Sequence, residues 1–533
     1  MNQPEPGLIW LIGGSDCSAL AGIQADLATA QDLAVPAATV LTAATAQHQG
    51  AVLAINPVTP AVLKSQLDAL TAPEQPIPTV IKIGLMPDFA TLELLTEWLS
   101  RFKQQQPQVW LLLDPVQVAS CGAPLQRLTP ADWAPLLALI DVLTPNQPEL
   151  RALAGLAPDA CPQLAVRLLL AHGVKAIWCK DGHGADQTLQ EHLYLHPATT
   201  LSFKHWPAQA AATSLTTGTP LLALQLEKPR LTGSWRGTGC SFATALACAL
   251  AQPMLLPDAC VLASLYLQQC LQRPAAKPHQ LGRAGWPLAL QLQDHISLHG
   301  PLAGAGMINR STTGFAALQQ APGIYPVVSN FSQLVEVAAA GVRTVQLRVK
   351  TGTSVQLRQQ LQAAIAFGHQ HQLQLFINDH WQLALELGAF GVHLGQEDLC
   401  TADLPAIHRA GLRLGISTHG YLELLQALKL RPSYIALGHL FATPTKDMPS
   451  IPQGLRLLAR QQRLCQQQQL PAVAIGGINA PHLPQLRTLG LSGVAMVRAV
   501  ADAPDLRARC EQLLQLWLCA PANSEGHTSD DVI

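Results

Sequence analysis

Charge is scarce in this chain. Of 533 residues only 13% are Asp, Glu, Lys or Arg, about half the ~25% usual in globular proteins. With 49% apolar residues, a disordered or solvating polypeptide is excluded, because that class needs low hydrophobicity and high charge. Long hydrophobic runs are also missing. The most apolar stretches, Leu136–Leu143 and Cys240–Ala251, fall short of the ~18 uninterrupted residues of a spanning helix. Net charge is −1, from 33 basic against 34 acidic residues, so no global field exists to hold nucleic acid or an anionic membrane. Small molecules are the expected partners, and self-association into a homo-oligomer is left open. The start, MNQPEPGLIWLIGGSD, has no basic segment ahead of its short apolar run Leu8–Ile12, so no secretory signal is read there. The twelve cysteines are scattered without a CxxC pair. Reduced thiols in a cytoplasmic protein are the expectation, most of them as small core residues.

What is present is repetition. A single hydrophobic core seldom grows beyond ~250–300 residues, so at least two domains are expected. Both halves alternate short β-branched or apolar runs with longer Ala/Leu/Gln-rich segments of helical period, the pattern of βα units around parallel sheets. Between Arg273 and Gly314 the composition shifts to Pro274, Pro278, Pro287, Pro301 and the glycines of GPLAGAG at 300–306, with a residual helix expected around Leu288–His295. The reading is a first domain over 1–275, a junction over 276–314, a second domain over 315–520 and an aperiodic tail over 521–533.

From Gly323 to Val500 eight strand-like runs recur: IYPVVS at 324–329, TVQLRVK at 344–350, LQLFIND at 373–379, GVHLGQ at 391–396, LRLGIS at 412–417, YIALGHL at 434–440, AVAIGGI at 472–478 and GVAMVRAV at 493–500. Helical segments separate them. Eight βα units in under 200 residues predict a (β/α)8 TIM barrel, whose active site lies at the C-terminal strand ends. Polar residues gather there. Arg348 and Lys350, two apart, are expected on one face with Gln346 below them, and an inward cationic pair calls for an anion. Lys446, in ATPTKDMPS, adds a third cation. Asp379 and Asp398 end adjacent strands, close enough to share a hard divalent ion. Three cations and two carboxylates suggest a magnesium–diphosphate site, and the Gly476–Gly477 turn suits the phosphate site of a barrel. The plainer alternative is a rim of unrelated salt bridges.

QLRVK at 346–350, INDH at 377–380, GVHLGQEDL at 391–399, GISTH at 415–419, ATPTK at 442–446 and AIGGI at 474–478 together resemble thiamine phosphate synthase, in order over about 190 residues. That family joins a pyrimidine methyl diphosphate to a thiazole phosphate. The resemblance implies that Gln346, Leu347, Arg348, Val349, Lys350, Asn378, Ser417 and Lys446 hold the pyrimidine diphosphate, with Lys446 also catalytic. It implies magnesium on Asp379 and Asp398, and thiazole phosphate on Thr443, Pro444, Thr445, Gly477, Val497 and Arg498. It further implies a dissociative reaction in which pyrophosphate leaves before the thiazole nitrogen attacks. Two positions depart from the family: Val349 stands where many relatives have Glu, and Arg498 where a serine is usual.

The first half opens with the buried run Leu8–Ile12, then GGSDCSALAGIQAD, a strand–glycine loop–helix sequence. TPNQPE at 144–149 carries an N-x-x-E, Asn146 and Glu149; a capped, Pro-containing helix start is the plainer alternative for it. WRGTGCSFATALACALA at 235–251 is a Gly-rich loop opening an apolar helix. The N–H groups of Gly237, Thr238, Gly239 and Cys240 would converge there on one point, an anion hole for a phosphoryl group. Cys240, as the first helical residue, is expected to have its thiol pKa lowered by the helix dipole.

These stretches, with TAQHQG at 45–50, IKIGLM at 81–86, LDPVQVAS at 113–120 and WCKDGH at 178–183, resemble hydroxymethylpyrimidine phosphate kinase of the ribokinase-like superfamily, an αβα sandwich that uses magnesium ATP. The resemblance implies Asp26 and Gln47 on the pyrimidine, Asn146 and Glu149 organising magnesium, Lys180 near the ATP phosphates with Gly237, Thr238 and Gly239, and Cys240 at the acceptor hydroxyl. An aspartate at 240 would point to a pyridoxal or sugar kinase instead. Departures are heavier here: Cys17 replaces a proline, Ala19–Leu20 replace two glycines, and LDPVQVASCG lacks a lysine. The leading reading is a bifunctional transferase of thiamine biosynthesis. The alternative is an active synthase fused to a pyrimidine-binding or regulatory domain that has lost catalysis.

Overall fold

The computed structural model describes residues 7–48, 50–119, 122–180, 187–196, 221–286, 297–299, 314–442 and 452–519. The chain divides into two compact units, with the division between residues 287 and 303; the helix expected around 288–295 lies outside the described residues. No described helix is long and apolar enough to cross a membrane.

The first unit is an αβα sandwich. Its strands are β1 Ile9–Asp16, β2 Ala37–His48, β3 Ala51–Pro57, β4 Val80–Ile83, β5 Trp110–Leu113, β6 Val142–Leu143, β7 Ala176–Cys179, β8 Thr188–Leu195, β9 Leu221–Pro229 and β10 Ser297–His299. They form one sheet in the order β10-β9-β8-β7-β6-β5-β4-β1-β2-β3. β2, β1, β4, β5, β6 and β7 run parallel, while β3 and β8–β10 join antiparallel. The parallel strands are short and apolar because both faces are covered. One face carries Trp10, Ile12, Ile81, Ile83, Leu111, Leu113 and Ile177 into a core shared with helix residues such as Leu95, Leu136 and Leu169. Helix Phe89–Gln105 shows how the sequence builds that layer: Asp88 caps it by accepting the Thr91 N–H, and Leu92, Leu95, Leu99 and Phe102 form its buried stripe. Helices Gly22–Asp32 and Thr238–Leu250 pack together on the other side. The second is buried over every residue from Cys240 to Leu250. Register pairs Ile83 with Leu113, Leu113 with Leu143 and Leu143 with Ile177, so Gly84, Asp114, Asn146 and Lys180 emerge along one edge of the sheet.

The second unit is a closed eight-stranded parallel barrel: β11 Gly323–Val328, β12 Thr344–Leu347, β13 Gln374–Asn378, β14 Gly391–Leu394, β15 Arg413–Thr418, β16 Tyr434–Leu437, β17 Ala472–Ile475 and β18 Gly493–Met496. All eight expected strands are present, most of them ending earlier than the apolar pattern suggests. Tyr325, Val327, Phe376, Tyr434, Ala436, Val473 and Ala495 fill the interior. Gly391 and Gly415 make room for them, since a Cβ would stand 2.6 Å from the Phe376 ring or 2.3 Å from the Tyr434 ring.

Candidate active sites

In the first unit the candidate residues collect at the carboxyl ends of the parallel strands, where open α/β sheets bind ligands. Asp114, just past β5, is 2% exposed. Its Oδ1 accepts from Lys180 Nζ at 2.9 Å and from Thr144 Oγ1 at 3.2 Å. Its Oδ2 has no hydrogen-bond partner among the described residues, and it lies 3.4 Å from where a Cβ on Gly239 would be. The free carboxylate oxygen therefore borders the glycine loop. Gly237 caps the helix Thr238–Leu250 at φ +71°, and a Cβ there would meet the Leu20 carbonyl at 2.3 Å, so only glycine fits. Asn146 and Glu149 form a reciprocal cap: each backbone N–H donates to the other's side chain at 2.9 Å. Burial pushes the Glu149 carboxyl up to about 7, with Lys180 opposing and Asp114 adding to the rise. The capped helix start and the charge cluster thus coexist.

Two expectations need correction. Cys240 is the third residue of its helix rather than the first, and its thiol moves opposite to the dipole argument. Burial raises it to about 12; Lys82 pulls it down, while Asp26 and Asp114 add to the rise. Desolvation outweighs the helix end because the thiol itself is buried, although Thr238 and Gly239 before it are partly exposed. Asp26, expected on the pyrimidine, is 1% exposed. It accepts from Lys82 Nζ and Thr244 Oγ1, both at 2.8 Å, so it lies beneath the site and supports Lys82.

Gln47, at the end of β2, is half-buried. Its Oε1 accepts from Arg236 Nη2 at 2.7 Å and its Nε2 donates to Thr45 Oγ1 at 3.0 Å. Asp16 pins the first loop by accepting from the Ser18 hydroxyl and N–H and from the Ala21 N–H. Within that loop Ala19 takes φ +60°, the left-handed conformation for which glycine is better suited. Sequence reasoning missed Asp114, Lys82 and Arg236. Their motifs were visible in LDPV, IKIG and WRGTGC, but nothing in a linear pattern says which member turns inward.

In the barrel, β12 ends at Leu347. Arg348 is half-buried, Val349 buried and Lys350 exposed, so strand alternation does not reach Lys350 and the expected inward pair is corrected to loop positions. The Val349 carbonyl lies 3.2 Å from His380 Nε2. Asn378 closes β13, and Asp379 follows at φ +64° with its N–H on the His393 carbonyl at 3.0 Å. Asp398 is in the short helix Gln396–Leu399 after β14. Burial, then the charge of Asp379 and a hydrogen bond to it, raise the Asp398 carboxyl to about 6; the two carboxylates face each other.

Beneath this rim runs a hydrogen-bonded chain that sequence reasoning did not anticipate. Gln346 Nε2 donates to Tyr325 OH at 3.4 Å, Tyr325 OH is 2.7 Å from Tyr434 OH, and Tyr434 OH is 2.7 Å from His393 Nδ1. His393 Nε2 is 2.8 Å from Ser417 Oγ. Burial, helped by the positive charge of Arg348 and His419 and opposed by Asp379, lowers His393 to about 4, so it is neutral at neutral pH. A hydroxyl accepts through two lone pairs, so the Gln346 amide alone does not order the donors along the chain. In the His393 tautomer protonated at Nε2, that N–H donates to Ser417 and leaves the Ser417 hydroxyl hydrogen for an outside acceptor. Gly476 and Gly477 take φ +100° and +67°. Val497 caps the short helix Arg498–Ala501 and Arg498 is exposed. Thr443, Pro444, Thr445 and Lys446 lie outside the described residues.

Residues 16–287 match the family model for phosphomethylpyrimidine kinase, and residues 324–500 match that for thiamine monophosphate synthase. A thiamine-phosphate synthase of Serratia proteamaculans is 52% identical over 205 residues, 38% of this chain and 96% of that protein. Among solved structures, a pyridoxal kinase from Staphylococcus aureus in complex with pyridoxal is 21% identical, covering 55% of this chain and 97% of its own, with a TM-score of 0.42. A phosphomethylpyrimidine kinase from Clostridium difficile 630 is 23% identical, covering 50% of this chain and 99% of its own, with a TM-score of 0.37.

Proposed function

We infer that this chain, which belongs to the phosphomethylpyrimidine kinase family through its first half and to the thiamine monophosphate synthase family through its second, carries consecutive steps of thiamine biosynthesis in the cytoplasm. The first half phosphorylates hydroxymethylpyrimidine and then its monophosphate, using ATP for each step. The second condenses the resulting diphosphate with thiazole phosphate, releasing thiamine phosphate and pyrophosphate. One observation, repeated in both halves, supports the assignment of sites: carboxylates at parallel strand ends stand beside donors suited to phosphate oxygens. These are Asp114 with Lys180 by Gly239, and Asp379 with Asp398 where Asp379 and Arg348 both act on the charge of His393.

Oxygen donors of this kind suit magnesium. In the barrel Asp379 and Asp398 would hold it; in the kinase half Asp114, through its unpartnered Oδ2, and Glu149 would do so. When bound, the ion offsets negative charge on phosphate oxygens. Around it the barrel supplies Arg348 and Lys350, with Lys446 as the third cation, to draw in the diphosphate, and the Ser417 hydroxyl donates to it. As the carbon–oxygen bond breaks, the electron pair leaves with pyrophosphate, and the thiazole nitrogen then forms the new carbon–nitrogen bond. No base is required, in keeping with a neutral, fully hydrogen-bonded His393. In the kinase half the amides of Gly237–Cys240 and Lys180 stabilise charge on the phosphoryl group in flight. With these parts in place, we favour turnover over a catalytically silent module.

The test is a single incubation of purified protein with hydroxymethylpyrimidine, thiazole phosphate, ATP and magnesium. Thiamine phosphate should form. Asp398→Asn should stop it while pyrimidine diphosphate accumulates. Equal thiamine phosphate output from Asp398→Asn at limiting magnesium would remove the metal assignment.

A further inference from the structure

Arg236 precedes the glycine loop and is 4% exposed, yet among the described residues no carboxylate takes its charge at hydrogen-bond distance. Asp16 Oδ2 is 3.6 Å away and already accepts from Ser18 and Ala21. Arg236 Nε and Nη1 have no partner among the described residues. A buried guanidinium with spare donors marks a place where a ligand acceptor completes the structure.

The donor that is used, Nη2, goes to Gln47 Oε1 at 2.7 Å. A guanidinium can only donate, so the oxygen of the Gln47 amide must face Arg236. The opposite end is fixed separately. Thr45 Oγ1 donates its hydrogen to the Ser15 carbonyl at 2.7 Å, and so must accept from Gln47 Nε2 at 3.0 Å. Oxygen and nitrogen of a free glutamine amide exchange places by a simple flip. Here two independent partners forbid it, leaving one Nε2 hydrogen and one Oε1 lone pair in fixed order.

That order matches one heterocycle edge. A 4-aminopyrimidine presents a ring nitrogen acceptor beside an amino donor, which a carboxamide reads bidentately, as glutamine reads adenine. A 4-oxopyrimidine presents the reverse pattern and would need the flipped amide. We propose that Arg236 is a specificity-determining residue of the kinase half, locking the Gln47 amide so that the site takes a 4-aminopyrimidine and rejects its 4-oxo analogue. The proposal rests on reading the first half as a hydroxymethylpyrimidine kinase with Gln47 at the ring.

Calorimetry on the full chain without ATP tests it, using 4-amino-5-hydroxymethyl-2-methylpyrimidine and its 4-oxo analogue. Wild-type protein should prefer the amino compound by roughly 30-fold or more, since a mismatched hydrogen-bonding edge strands buried polar groups. Arg236→Met should cut that preference to about threefold or less, mainly by gaining the oxo analogue, because turning the amide then sacrifices one hydrogen bond instead of two. Thr45→Val, of nearly the same shape, should do likewise from the other end. An unchanged preference in both variants, or equal loss of both ligands, overturns the lock and leaves Arg236 as a structural clamp. Wild-type protein that binds the two compounds equally overturns it as well. Binding of neither compound by wild type would instead sink the pyrimidine reading, and the lock with it.

Discussion

At the scale of single residues, the thiol of Cys240 shows how a local rule loses to its surroundings. The helix start that would stabilise a thiolate is present, but the residue is 8% exposed and its pKa rises to about 12. In the proposed kinase reaction a thiol held protonated would serve as a small group at the acceptor site rather than as a base. Two outcomes follow. Cys240 should resist iodoacetamide at pH 8 under conditions that label the exposed Cys17, Cys161, Cys400 and Cys519, as read by peptide mass spectrometry. Kinase kcat should show no rise between pH 8 and 10 attributable to thiol ionisation. Labelling of Cys240 at rates matching Cys17 would restore it as a nucleophile or base. Asp26 carries the same lesson. Its motif, GIQAD, was legible, but its partners Lys82 and Thr244 lie 56 and 218 residues away in sequence. Sequence spacing cannot report which carboxylate a fold turns inward. The positions of Arg348, Asp379, Asp398 and Ser417 at or just past strand ends, by contrast, were legible because barrel topology assigns strand ends to the mouth before any coordinate is known.

At the scale of elements, strand ends and the turns after them do most of the positioning. Gly477 is held at φ +67°, and a Cβ there would stand 2.7 Å from Phe441 Cβ and 2.9 Å from the Ala442 carbonyl. Gly477→Ala should therefore displace the turn, at a cost of about 1–3 kcal/mol in stability. It should raise KM for thiazole phosphate at least about tenfold, with a smaller effect on the pyrimidine diphosphate, in steady-state assays. Equal effects on both substrates would argue against a thiazole phosphate site at this turn. The chain through Tyr325, Tyr434, His393 and Ser417 joins four strands and predicts a pH signature. His393 has a folded pKa of about 4, below the ordinary 6.5. Between those values the unfolded chain binds a proton that the folded barrel refuses. Stability should therefore fall as pH drops from 6.5 towards 4, by up to about 3 kcal/mol from this group. Urea unfolding at pH 7 and pH 4.5 should show that gap narrowing in His393→Gln. An unaltered gap would mean the imidazole is not held neutral. Nothing in GVHLGQEDL announces this chain, because strand pattern gives the side a residue faces and not the hydroxyl across the barrel that meets it.

At the scale of the whole molecule, each half encloses its own core and its own candidate site. Asp114, Lys180 and the Gly237–Cys240 loop belong to the sandwich, whereas Asp379, Asp398, His393 and Ser417 belong to the barrel. Both architectures were legible because βα repetition and motif order are properties of the chain, robust to the local departures that blurred single-residue roles. Ala19 illustrates this: it adopts φ +60° without glycine, and the strand–loop–helix unit around it is intact. Separate sites on one chain make a specific expectation about the shared intermediate. Gly239→Val would crowd the Asp114–Lys180 pair, whose atoms lie 3.4–3.5 Å from its new Cβ, and should abolish phosphorylation while sparing condensation of supplied diphosphate. Asp398→Asn should do the reverse. Mixed in equal amounts with hydroxymethylpyrimidine, ATP, magnesium and thiazole phosphate, the two variants should together make thiamine phosphate after a lag. That lag should shorten as total protein rises, because diphosphate released by one chain must diffuse to another. If the mixture made none while each variant kept its own partial reaction, the diphosphate would have to pass between the halves of one chain without entering solution.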